Sequence, residues 1–159
     1  VNTLRSAVLA TCLVAGTSLA QDRTALRELD SAGRAIAAQP CPRPQEQKSS
    51  KVGNTGDEMR ALDCGSFRIA IYVAQTSDGQ RETPMALVVL GPGPGLPAGT
   101  APGATVAEVL QRLGLPSRQK PSSLSYLLDP ARPGGDMISF ELDGERVRAV
   151  SWNWRVVDR

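Results

Sequence analysis

Residues 136–154 read DMISFELDGERVRAVSWNW, and this stretch decides the fold class. Apolar and polar side chains alternate with a period of two on either side of Asp143-Gly144, a dipeptide suited to a two-residue hairpin turn. With Leu142 placed opposite Glu145, Phe140 faces Val147 and Ile138 faces Ala149, forming one apolar face for the core. The other face then carries Met137 beside Val150, Ser139 beside Arg148 and Glu141 beside Arg146, with Trp152 and Trp154 further along. Met137, Val150, Trp152 and Trp154, flanked by Arg148 and Arg155, are of the types enriched at protein-binding hot spots, which makes these six the candidate binding residues. The competing reading of the same stripe is that the first helix or an earlier hairpin covers it.

Upstream of the hairpin, Leu124, Tyr126 and Leu128 alternate as a further strand, giving a three-stranded meander over 124–154. Before it, Thr105 and Glu108 form a capping box for a helix over 104–113 whose apolar face is Val106, Val109, Leu110 and Leu113, and Gly114 and Pro116 end it. The run GPGPGLPAG at 91–99 resembles a phosphate-binding loop only superficially. Its prolines remove backbone donors, no Gly-Lys-Ser/Thr follows, and residues 91–103 read as a linker. Phe67, Ile69, Ile71 and Val73 alternate with polar or small residues, Met85 to Leu90 is a second apolar run, and Ser77-Asp78-Gly79 makes a hairpin of the two at about 66–90. Asp22 caps a helix through about Ala38, with Leu26, Leu29, Ala32 and Ile36 on one stripe. Pro40, Pro42 and Pro44 stop that helix, and the polar run Gln45 to Gly56 reads as a loop.

Residues 1–20 have the composition of a secretory signal: Arg5 without an acid, a short apolar core over Ala7 to Val14, and Ser18-Leu19-Ala20 as a cleavage site. Cleavage there leaves residues 21–159 as one α+β domain and lowers the formal charge from +2 to +1. Fifteen arginines against three lysines point to a GC-rich bacterium, hence to the periplasm. Leu9-Ala10-Thr11-Cys12 resembles a lipobox, but threonine before the cysteine fits poorly and lipid anchoring at Cys12 is disfavoured. Once the signal is removed, Cys41 and Cys64 form an even pair in an oxidising compartment, and a structural disulfide is the simple reading.

The chain contains no histidine, which removes the ordinary nucleophile–base pairs and the common zinc sets. Serine with Lys48, Lys51 or Lys120 is formally available for catalysis, but all three lysines lie in polar stretches that read as solvated. Basic residues never form a run, so nucleic acid is not an expected partner, and no stretch has the ~20 apolar residues of a membrane-spanning helix. No cofactor is expected.

Residues Gly103 to Pro116 (GATVAEVLQRLGLP), followed by Tyr126 in a strand and Phe140 to Val147 around a D-G turn, resemble the small outer-membrane lipoproteins of the SmpA/OmlA (BamE) type. The beta-lactamase-inhibitory proteins are similar to a doubled version of such a unit. The resemblance implies the helix and three-stranded meander, and with the N-terminal helix and hairpin read from periodicity the expected fold is α+β, with helices packed on antiparallel strands. It also implies a non-enzymatic module that binds another envelope or secreted protein, as an envelope-assembly accessory or as an inhibitor or immunity protein against a secreted hydrolase. An enzyme of unspecified type is the remaining alternative.

Overall fold

The computed structural model describes residues 20–41, 45–54, 56–92, 95–132 and 134–155; the signal-like leader, with Cys12, lies outside them apart from Ala20. Helix α1 (Arg23–Ala37) is followed by β1 (Gln45–Val52), β2 (Asp57–Asp63), β3 (Phe67–Thr76) and β4 (Gly79–Val89). Helix α2 (Val106–Leu113) then precedes β5 (Arg118–Lys120), β6 (Ser123–Leu127), β7 (Met137–Asp143) and β8 (Arg146–Asn153). All eight strands form one antiparallel sheet in the order β1-β2-β3-β4-β8-β7-β6-β5. A helix followed by a four-stranded meander thus occurs twice, and the meanders join through their last strands.

This arrangement overturns the expected α+β fold of a hairpin and a three-stranded meander under helices. The two helices have only 15 and 8 residues, and the molecule is dominated by the sheet. The stretch Gln45 to Gly56, read as a loop, supplies β1 and the turn into β2. Its polar composition hid the strand because β1 is an edge that pairs only with β2 and draws its stability from backbone hydrogen bonds. The other edge, β5, is short, exposed and basic (Arg118, Gln119, Lys120), a composition that blunts an edge against further pairing. Segment 95–105 is tied to the sheet: Gly103 N donates to Val147 O, Val147 N to Ala104 O, and Thr100 is fully buried.

Two rows of side chains crossing the strands make the core. Tyr126, Ile138, Trp152, Leu87, Ile69 and Leu62 are successive register partners from β6 to β2, and Leu124, Phe140, Val150, Val89 and Phe67 form the parallel row. Both helices cover this face. Asp22 caps α1 by accepting from Thr24 N and Ala25 N, and the helix buries Ala25, Leu26, Leu29, Gly33 and Ile36 against the rows. The capping box of α2 is present, with Thr105 N and Oγ1 donating to the Glu108 carboxylate. These bonds hold the Glu108 carboxyl below its ordinary pKa of 4.5. Tyr126 donates from its hydroxyl to Gly114 O, and burial pushes its phenol pKa up.

The closing hairpin turns one residue later than expected, at Gly144-Glu145 instead of Asp143-Gly144, so Leu142 pairs two residues further along β8. Asp143 partners Arg146, so Leu142 faces Val147, and a bulge inserts Arg148 so that Glu141 faces Ala149 and Phe140 faces Val150. The later turn leaves the faces as expected, and it is the bulge that places Val150 and Trp152 on the same face as Phe140 and Ile138. Both tryptophans consequently lie in the core, Trp152 at 1% exposure and Trp154 at 2%.

The fit of α1 onto the sheet turns on Gly33. A Cβ built there would sit 2.5 Å from Cε2 and 2.6 Å from Nε1 of Trp152, so the bare backbone of α1 rests on the indole. Further along α1, Asp30 accepts from Trp154 Nε1 at 2.8 Å, and the Arg34 guanidinium lies 5.0 Å from the centroid of the same ring. Arg34 also pairs with Asp30 and Asp136. Beyond the helix, a disulfide joins Cys41 to Cys64 just after β2, across a sequence separation of 23.

Gly33→Ala would gain helix propensity of about 1 kcal/mol, but overpacking against Trp152 costs about 1–3 kcal/mol. We expect a lower melting temperature than for Ser31→Ala on the exposed side of α1; an equal or higher one would show that α1 can lift without loss. Reduction of Cys41–Cys64 should destabilise the fold by about 2–4 kcal/mol, read as a lower denaturant midpoint against the oxidised protein, and an unchanged midpoint would refute this. Glu108, with its depressed folded-state pKa, contributes stability that is present above pH 4.5 and lost as pH falls through its folded value. Glu108→Gln should therefore lose less melting temperature between pH 7 and pH 3 than the parent, and equal losses would refute a role for this carboxylate.

Candidate functional site

The helices cover one face of the sheet, and the opposite face carries two cross-strand rows of its own. Ser125, Ser139, Ser151 and Val88 are successive partners from β6 to β4, with Arg118 beyond Ser125 on β5 and the ion-paired Arg68 and Asp63 on β3 and β2. The neighbouring row is Leu127, Met137, Asn153, Ala86, Ala70 and Ala61. Most of these residues are half-buried by their neighbours. A sheet face that meets only water usually alternates long polar side chains, whereas the middle of this face, apart from Asn153, is serine, alanine and valine, with Arg118, Leu127 and Met137 toward one end and Arg68 and Asp63 toward the other. The surface is therefore smooth and of low relief, with the Ser125 and Ser139 hydroxyls hydrogen-bonded to each other at 3.0 Å and Ser151 Oγ donating to Ser139 O.

Register puts Met59 and Met137 on this face, and Met85 occupies the β-bulge of β4 beside it. These are all three methionines of the chain. Unbranched and polarisable, methionine adapts its shape to a partner at little cost, which is why it recurs on binding surfaces.

At the β5–β8 end the face deepens into a cavity of about 640 Å³. Met85, Leu127, Met137 and Trp154 contribute its apolar lining, while Arg118 and Arg155 contribute charge. Arg155 is fixed through its backbone, whose N–H donates to Asp136 Oδ1 at 2.8 Å. Ser117, at the same cavity, accepts from Leu127 N and Gln21 Nε2, so its hydroxyl is engaged in holding the chain.

The six residues singled out from the sequence do not form one surface. Val150 and Trp152 belong to the core rows beneath α1, and Trp154, though it borders the cavity, is buried with its N–H committed to Asp30. Arg148, the inserted bulge residue, is exposed and paired with Glu141. Met137 and Arg155 reach the cavity as accessible groups. Arg118, Met85, Asn153 and the serine row were missed, because β5 is too short and β4 too far away in sequence for their meeting to be read from periodicity. The strict spacing of Ser123, Ser125 and Leu127 beside Met137, Ser139 and Glu141 was the one signal that could have found part of it.

Among the described residues no cluster of three or more His, Cys, Asp or Glu side chains could hold a metal ion. No helix there is long and apolar enough to cross a membrane. The arrangement offers shape, polarisable surface and two guanidinium groups, Arg118 and Arg155, without an ion-pair partner among the described residues. No protein-family model matches the chain, and neither the curated proteins nor the solved structures contain a significant match to it.

Proposed function

We propose that this is a non-enzymatic exported module that binds another envelope or secreted protein on the helix-free face of its sheet. The observation that carries this reading is the pair of rows of short side chains crossing that face, bordered by the three methionines. Side chains this short let a partner approach the sheet closely, and burying them costs little rotamer entropy. The Cys41–Cys64 disulfide supports an oxidising compartment, with the periplasm as the proposed location. A second reading, an inhibitor or immunity protein against a secreted hydrolase, draws support from the doubled helix-plus-meander order that the inhibitor resemblance implies.

Site-specific photocrosslinkers test the face directly. Placed at Ser139 and Ser151, they should yield one discrete adduct with an exported protein, while the same groups at Arg27 and Ser31 on the exposed side of α1 should yield none. Val88→Arg or Ala86→Arg should reduce the adduct at least tenfold with the melting temperature retained. Equal adducts from the helix side, or an adduct indifferent to both arginines in a folded protein, would overturn the proposal.

A further inference from the structure

The cavity at the β5–β8 end of the open face is one-sided in charge. Arg118 and Arg155 both line it, no aspartate or glutamate does, and neither guanidinium has an ion-pair partner among the described residues. Most other arginines near the sheet are paired: Arg34 with Asp30 and Asp136, Arg60 with Glu58 and Glu82, Arg68 with Asp63, and Arg148 with Glu141. Asp136, which accepts from the Arg155 backbone N–H, is also engaged by the Arg34 guanidinium. The Asn153 side chain, exposed beside them, adds a donor that no described residue engages. Three unengaged donor groups thus surround an apolar floor of Met85, Leu127 and Met137.

We propose that this cavity is the anchor for an acidic side chain, carried between large apolar residues on a loop of the docked protein. The inference rests on the reading of the open face as a protein-binding surface, and it names the partner's chemistry. A guanidinium binds a carboxylate through two parallel hydrogen bonds, and an apolar wall beside the pair reduces its screening by water. The floor requires apolar neighbours on the loop, which a bare inorganic anion lacks. A volume of about 640 Å³ accommodates a loop tip of a few side chains.

The test uses the full folded chain, labelled with ¹⁵N, and two capped pentapeptides, acetyl-Gly-Phe-Asp-Leu-Gly-amide and its Asn counterpart. The Asp peptide should shift the Trp154 indole and Asn153 side-chain amide signals and bind at least tenfold more tightly than the Asn peptide at low salt. Arg118→Gln with Arg155→Gln, both at exposed positions, should abolish that preference without changing the melting temperature. Equal binding of the two peptides, shifts confined to other parts of the molecule, or displacement of the Asp peptide by equimolar inorganic phosphate would overturn the inference. If the preference is absent while Ser139 crosslinks persist in the double variant, the anchor is wrong and the docking face stands. Peptide preference without any open-face crosslink would instead overturn the docking face.

Discussion

The distance between α1 and the sheet is set by a glycine lying on an indole. Gly33 has no side chain to hold the helix away, so the Trp152 ring fills the space between helix backbone and β8. That contact lets Leu26, Leu29 and Ile36 reach the cross-strand rows of Tyr126, Ile138, Leu87 and Ile69. Trp152 Nε1 has no hydrogen-bond partner among the described residues, a cost that close packing around the ring offsets. Trp154, two residues on, satisfies its own N–H with Asp30 and stacks beneath Arg34, so the end of β8 is held to the same helix. The join between the two meanders, β4 against β8, lies directly beneath α1.

Covering one face of so wide a sheet leaves the other without a partner element. Among the described residues there are two helices, both on the same side, and most of the apolar burial is concentrated there. On the uncovered side, evolution had the choice of long solvated side chains or short ones. The rows of serine and alanine represent the second choice, and it is this choice, together with the methionines and with Arg118 and Arg155, which have no ion-pair partner among the described residues, that supports the proposed binding role. The same one-sidedness explains why Met137 and Trp152, opposite parities of neighbouring strands, end on different faces.

Much of the architecture was legible in local sequence. Asp22 as a cap, the Thr105–Glu108 box, the Ser77-Asp78 turn and the bridge between Cys41 and Cys64 each depend on short-range chemistry or on a simple count, and each is present. The binding residues were far less legible. Alternation specifies which side chains share a face only while the ladder is regular, and in the closing hairpin Gly144-Glu145 forms the turn and Arg148 is inserted as an extra residue. That one inserted residue transfers the side chains of β8 beyond it from one face to the other. The stripe read from the sequence therefore mixed core residues, Val150 and Trp152, with surface ones, Met137 and Arg155.

The sequence by itself determined the turn at Ser77-Asp78, where the two helices lie and which cysteines are paired, because each of these rests on the chemistry of neighbouring residues or on a simple count. Tertiary structure alone decided that polar residues 45–52 become an edge strand, that two meanders merge through β4 and β8, and that the tryptophans lie inward. It also brought Arg118 and Arg155 to one cavity. These outcomes depend on free energies shared among segments many residues apart: strand pairing that needs no apolar pattern at an edge, a bulge whose cost is met by burying Trp152 under Gly33, and charges whose neighbours come from other strands. No local window of sequence contains those terms.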